Sequence, residues 1–185
     1  MAHPMVSTVP HGRIVMIGRR AFLANIAASV AVPAFARDAT PLDSNRTVLG
    51  PFRVEPLEGL ADIPAPTLEA LKDEVTVLNF WASWCQACRE EHRYLVDLQS
   101  KGVRIAGVAV QDRAEAALHY LEKAGNPYGL VGLDNKRELV TMLSLRSIPQ
   151  TFLISRHCEV VWETDEGLDN GLATELLDKI GAISG

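Results

Sequence analysis

The chain has 185 residues, 18 basic and 23 acidic, for a formal charge of −5; 48% are hydrophobic and 22% charged. That is ordinary globular composition for one domain with room for an appendage, and it excludes wholesale disorder. The acidic balance leaves no basic stripe to neutralise phosphates, so no nucleic-acid partner is expected, three cysteines are too few for a disulfide-scaffolded mini-protein, and no apolar run reaches the roughly 18 residues of a membrane span.

Charge is unevenly spread. Residues 1–36 hold Arg13, Arg19 and Arg20 and no acid, and an uncharged stretch from Ala21 ends in Ala34-Phe35-Ala36. A basic start, a short apolar run and an A-x-A end describe an export signal. The adjacent arginines, in Gly18-Arg19-Arg20-Ala21-Phe22-Leu23-Ala24, are similar to a twin-arginine signal, with Gly18 and Ala24 departing from the usual pattern. The expected organisation is a signal over 1–36, cleaved after Ala36, a polar linker over 37–50 and one domain over 51–185. The mature chain is then expected in the periplasm, where disulfides persist.

Along that domain, Phe52 to Leu57 reads as a short strand, and Thr67 is placed to cap a short helix through Lys72. Val75 to Phe80 is rich in branched and aromatic residues, a strand signal. Gln86 to Ser100 reads as a helix. Val103 to Val110 is nearly continuous apolar sequence, as a strand covered on both faces requires. Arg113 to Lys123 spaces Ala114, Ala117, Leu118 and Leu121 as one face of a helix. Leu130 to Leu133 is a strand, Lys136 to Leu145 a helix, Thr151 to Ser155 with Glu159 to Trp162 a hairpin, and Leu172 to Ile180 the last helix. This alternation predicts an α/β fold, a sheet with parallel pairs and an antiparallel edge, covered by helices on both faces.

Trp84-Cys85-Gln86-Ala87-Cys88 falls where the first strong strand meets its helix. Two cysteines at this spacing can close a small disulfide ring. Cys85 lies at the helix start, where unpaired N–H groups and the positive dipole end favour an anion. A thiolate is the attacking species in thiol–disulfide exchange. The dipole contributes about 0.3–1 kcal/mol, at most about 2. One pKa unit is about 1.36 kcal/mol, so the dipole accounts for about one unit and a larger shift needs hydrogen bonds to sulfur. Cys88, one turn further, is the expected resolving thiol. A zinc site would need a second ligand pair, and the chain offers only His157-Cys158; a c-type haem site would need His where Arg89 stands.

With Cys88 as zero on the helix, Leu95 falls at about −20°, Leu98 at about −80° and Glu91 at about −60°, so Glu91 lies on the inward stripe. A desolvated carboxyl one turn below the resolving thiol has a raised pKa and can shuttle its proton; the alternative is a surface ion pair with Arg89 or Arg93. Ile148-Pro149 enters the strand that starts at Thr151. A cis bond there, facing the cysteines, lets the Ile148 backbone pair with an extended substrate; an ordinary trans edge proline is the alternative.

The segments F-W-A-S-W-C-x-x-C-R-x-E, G-V-A-V-Q-D, G-N-P-Y and I-P-Q-T-F-L-I resemble the thioredoxin superfamily, nearest its exported reductase branch serving cytochrome c maturation (DsbE/CcmG-like) and TlpA-like relatives. The resemblance spans about Phe52 to Ile180. It implies a thioredoxin fold with an N-terminal extension and an inserted helix–strand over about Arg113 to Leu133. It also implies Cys85 as nucleophile, Cys88 as resolving thiol, Glu91 as acidic helper and a cis peptide at Pro149. Trp84, Ile148, Pro149 and Gln150 fall on the implied substrate face. Asn79 stands where thioredoxin itself holds a buried Asp, which moves the acid role toward Glu91. Three departures concern the partner more than the chemistry: neither Gln86 nor Ala87 is Pro, Leu145-Arg146-Ser147-Ile148 replaces a Gly-rich segment, and Gln150 replaces an acid.

Cys158 lies about six extended residues beyond Pro149, roughly 20 Å, in a turn at the far end of the hairpin. It is expected to be an exposed spare thiol outside the redox pair, and His92, His119 and His157 to be surface or structural. The expected function is an exported thiol–disulfide oxidoreductase that reduces protein clients, apocytochrome c or a copper-site protein among them, and that draws electrons from a membrane thiol donor. No cofactor or metal is expected. The alternatives are a disulfide-forming oxidant, a thiol peroxidase, and a copper chaperone; the last is disfavoured by the two-residue spacer and the lack of an obvious His or Met ligand.

Overall fold

The computed structural model describes residues 46–60 and 63–184; the expected export signal and most of the linker lie outside the described residues. The elements are β1 (Glu55–Pro56), α1 (Leu68–Leu71), β2 (Thr76–Trp81), α2 (Gln86–Ser100), β3 (Ile105–Ala109), α3 (Ala114–Ala124), β4 (Leu130–Leu133), α4 (Glu138–Met142), β5 (Gln150–Ile154), β6 (Val160–Thr164) and α5 (Asn170–Ser184). The strands form one sheet in the order β1-β4-β3-β2-β5-β6. β2, β3 and β4 run parallel, and antiparallel strands flank them on both sides. This is a thioredoxin fold in which α3 and β4 are the inserted helix and strand.

The two crossovers β2–α2–β3 and β3–α3–β4 step the sheet in the same direction, so their right-handedness puts α2 and α3 on one face. There Leu95, Leu98, Ala117, Leu121 and, from α5, Leu176 pack on Val77, Trp81, Ile105, Val131 and Leu153. The opposite face carries Leu78, Phe80, Ala106, Val108 and Phe152 under Leu71 of α1 and Leu139 of α4. Every residue of β2 is buried, its polar Thr76 and Asn79 included. The strand therefore fixes the loop that leaves its carboxyl end, and that loop carries Cys85.

Several boundaries differ from the sequence expectation because side chains cap backbone groups. Asp169 accepts the Leu172 N–H at 2.9 Å, and α5 begins at Asn170 rather than Leu172. Asp134 accepts from Glu138 N at 2.8 Å and Val140 N at 2.9 Å, while Arg137 sits at φ +58°, so α4 starts late and stays short. The first strand shrinks to two residues, the second of them Pro56, which has no N–H to extend a ladder.

Residues 47–49, expected to be linker, lie along the β5–β6 turn. Val48 bridges Glu159, Leu49 N donates to Cys158 O at 2.8 Å, and Leu49 is buried. This cover corrects the expectation for Cys158. It is 4% exposed, with its Sγ 3.9 Å from Leu68 O, and burial pushes its thiol pKa up. It is free, and it takes no part in the Cys85–Cys88 pair.

The close fit of the insertion to the sheet makes Gly107 sensitive. A Cβ on Gly107 of β3 would stand 2.7 Å from the buried Tyr128 ring of the α3–β4 connection. Gly107→Ala is expected to destabilise the protein by about 1–3 kcal/mol, read as a lower urea midpoint with an unchanged slope.

Candidate active site

Cys85 and Cys88 form a disulfide with Cα atoms 5.3 Å apart. Cys85 is the N-cap of α2, and its Sγ accepts the Cys88 N–H at 3.1 Å. The donors left unpaired at a helix start thus meet sulfur directly, adding a hydrogen bond to the dipole contribution. Cys85 is 6% and Cys88 4% exposed, so the two residues differ little in exposure.

The loop that holds Cys85 is braced from three directions. The Asp112 carboxylate accepts from the backbone N–H of Ser83 and, at 2.9 Å, from its hydroxyl. Arg89 donates through Nε and Nη2 to Ser83 O at 2.9 and 2.6 Å. Trp84 Nε1 donates to Gln111 O at 2.9 Å while its ring stays 57% exposed. The bracing roles of Ser83 and Asp112 are not marked in the sequence, because their bonds join separate loops, and Arg89, considered there as a partner for Glu91, turns to Ser83 O instead.

The Ile148–Pro149 bond is cis, and Ile148 O lies 3.8 Å from Cys85 Sγ. Ile148 is half-buried and borders, with Trp84, Val110, Gln111 and Arg146, a cleft of about 160 Å³. Trp84, Cys85, Ile148 and Pro149 are thus brought together. Gln150 is not. It is 1% exposed, and its Oε1 accepts the Arg146 N–H at 3.0 Å, so it braces the loop before the cis bond from inside and offers no surface to a substrate.

Glu91 is 1% exposed and makes no ion pair with Arg89 or Arg93. Its Oε1 accepts from Asn79 Nδ2 at 2.9 Å and its Oε2 from Leu168 N at 2.9 Å. Burial raises its pKa from 4.5 to about 7, against the opposing pull of these two bonds. Asn79 Nδ2 also donates to Thr151 Oγ1 at 3.1 Å, and Asn79 Oδ1 accepts from the Tyr128 hydroxyl at 2.9 Å. The β6–α5 loop closes over the acid: a Cβ on Gly167 would lie 3.6 Å from Pro149 Cγ and 3.9 Å from Glu91 Cβ. Tyr128 and the Leu168 N–H are members of this cluster that the sequence hid. Tyr128 is visible there only as the last residue of G-N-P-Y.

Among the described residues the histidines divide by exposure. His92 is buried, its Nε2 2.9 Å from Gly125 O, and burial lowers its pKa, so it ties α2 to the end of α3. His119 and His157 are exposed.

A thioredoxin fold with a disulfide capping the first helix after the central strand, a cis-proline beside it and a buried acid beneath it defines the class of dithiol–disulfide proteins. The chain belongs to the Redoxin family, whose model matches residues 29–177. It is 37% identical over 106 residues to the thiol:disulfide interchange protein DsbE of Escherichia coli K12, covering 56% of this chain. The match spans 55% of that relative, about half its length. It is 30% identical over 127 residues to the thiol:disulfide interchange protein CycY of Rhizobium leguminosarum bv. viciae, covering 65% of this chain and 68% of that one. Among solved structures, a thiol:disulfide interchange protein of the thioredoxin family from Chlorobium tepidum superposes with a TM-score of 0.63, at 21% identity over 78% of this chain and all of the other.

The raised pKa of Glu91 has a consequence for stability. Between about pH 4.5 and 7 the folded state holds a proton that the unfolded state has released, so stability declines as pH rises through that window. The full decline is about 3 kcal/mol and is complete above pH 7. In oxidised protein, urea unfolding at pH 5 and pH 8 is expected to show this loss in the parent and not in Glu91→Gln. Equal declines in the two proteins would contradict the burial assigned to the acid.

Proposed function

We propose that this chain is an exported thiol–disulfide oxidoreductase that reduces disulfides in protein clients. One observation carries the reading: a sulfur that caps a helix, accepts the Cys88 N–H at 3.1 Å and lies 3.8 Å from the backbone oxygen before a cis-proline. Its relatives' names as thiol:disulfide interchange proteins support it.

In the reduced protein the Cys85 thiolate attacks one sulfur of a client disulfide. A Cys85–client bond forms as the client S–S bond breaks, and the second client sulfur leaves as thiolate. Cys88 then attacks Cys85 Sγ, forming the Cys85–Cys88 bond and releasing the first client sulfur. Two electrons have passed to the client, and the protein is oxidised. Cys88 must lose its proton to attack, and Glu91, one turn along the same helix face, receives it. A carboxyl with a pKa of about 7 is matched to that exchange near neutral pH. The half-buried Ile148 and the exposed Trp84 ring border the cleft, and an extended client segment is proposed to pair with the Ile148 backbone there, next to Cys85.

Re-reduction requires an external dithiol, for which a membrane thiol donor is the proposed source. Apocytochrome c is the proposed client, with copper-site proteins as the second class. The proposed location is the periplasm, reached by the twin-arginine signal of residues 1–36, and exported material is expected to begin at Arg37 by mass spectrometry.

Cys85→Ser is expected to lower insulin-disulfide reduction at least a hundredfold, while Cys88→Ser accumulates mixed disulfides with clients in an oxidising extract. Survival of the activity in Cys85→Ser would sink the assignment of the attacking sulfur.

A further inference from the structure

Tyr128 belongs to the inserted connection between α3 and β4, yet its hydroxyl ends beneath the active-site helix. We propose that Tyr128 is a positioning residue for the proton held by Glu91, acting through the side-chain amide of Asn79. The proposal rests on the reading of Glu91 as the proton acceptor and says what aims the hydrogen bond that this acid receives.

Asn79 is fully buried on the central strand, so both ends of its amide need partners within the protein. Its two Nδ2 hydrogens are used on Glu91 Oε1 at 2.9 Å and Thr151 Oγ1 at 3.1 Å. Its Oδ1 is met by the Tyr128 hydroxyl at 2.9 Å. The opposite amide orientation would aim Oδ1 at a carboxylate, which accepts and cannot donate. A donor fixed at Oδ1 therefore favours the orientation that gives Nδ2 to the ionised acid. Tyr128 keeps its proton throughout the range in which Glu91 titrates, because full burial holds its pKa well above the ordinary tyrosine value. Its ring is held in turn by stacking on Trp81, with centroids 5.7 Å apart, and by Gly107, which leaves room for it.

The surroundings of Glu91 leave this route exposed to measurement. Its shift arises from burial, opposed by the Leu168 N–H and Asn79. Tyr120 of α3 and Tyr128 are ionisable side chains that feel its charge. β5 reaches it through Thr151 and Asn79, the β6–α5 loop faces it with Gly167 and the Leu168 N–H, and on its own helix Cys88 is in the disulfide. Arg89 bears on Tyr120 and is turned to Ser83 O.

The test is the carboxyl ¹³C titration of Glu91 in the oxidised full chain, with the resonance identified by its loss in Glu91→Gln. Tyr128→Phe keeps the ring and removes the hydroxyl. It is expected to move the Glu91 midpoint up by about one pH unit, the order that follows from weakening one hydrogen bond to a charged group. Asn79→Leu is expected to raise the midpoint as well, and Tyr128→Phe to add nothing in that background. An unchanged midpoint in a folded Tyr128→Phe, with only a lower unfolding midpoint, would overturn the proposal. So would additive shifts in the double variant. The titration needs no client and no turnover, so its failure is separate from a failure of the disulfide-exchange reading, which Cys85→Ser tests.

Discussion

A carboxyl group sealed beneath a disulfide is tolerated only if its oxygens meet donors, and that constraint organises the centre of this molecule. Water is excluded from Glu91, so the protein supplies Asn79 from the central strand and the Leu168 N–H from the last loop. Each donor comes from a different part of the chain and must itself be satisfied. Asn79 requires Thr151 across the β2–β5 pair and Tyr128 from the insertion. The polar cluster thereby joins β2, β5, α2, the α3–β4 connection and the β6–α5 loop at one point. Because burial outweighs the two hydrogen bonds, the acid is left poised near neutrality rather than ionised outright.

The sulfur pair above it depends on a different constraint, the rigidity of a strand with no exposed residue. β2 delivers its chain to Ala82 without freedom to drift, and α2 begins at Gln86. The short loop between them is fixed by the Asp112 carboxylate and the Arg89 guanidinium, both gripping Ser83. Cys85 then falls at the cap, where unpaired N–H groups converge. The cis-proline segment meets it from the neighbouring strand β5, whose entrance is braced internally by Gln150. The result is a reactive sulfur held between two pieces of fixed backbone, with the exposed Trp84 ring beside it.

Elements with strong periodicity are legible in the sequence. The strand over Val75–Phe80, the helix over Gln86–Ser100 and the insertion over Arg113–Leu133 are all found within a residue or two. Glu91 was placed inward by helix geometry alone, since 100° per residue needs no partner. The expectations that fail are those decided by a particular side-chain or backbone contact rather than by the repeat of an element. Cys158 reads as a turn cysteine and therefore as exposed, until residues 47–49 and α1 cover it. Gln150 follows the cis-proline in sequence, but its strand turns it toward Arg146 N and away from any client. Asp134 and Asp169 move helix starts through local capping bonds to backbone N–H groups, which the apolar repeat alone does not mark.

The sequence by itself determined the chemistry: a C-x-x-C pair at a strand–helix junction, an acid one turn below it and a proline at the next strand's entrance. The cysteine and acid spacings lie on one helix and are set by its repeat, and the proline is marked by its place before an apolar strand run. The tertiary structure alone decided how that chemistry is tuned. The hydrogen bonds that Asn79 and Glu91 make, and those that Asp112 makes to Ser83, run between residues 12 to 77 positions apart. No local periodicity specifies such pairs, because which donor reaches which acceptor follows from the register of β2 with β5 and from where the insertion folds back.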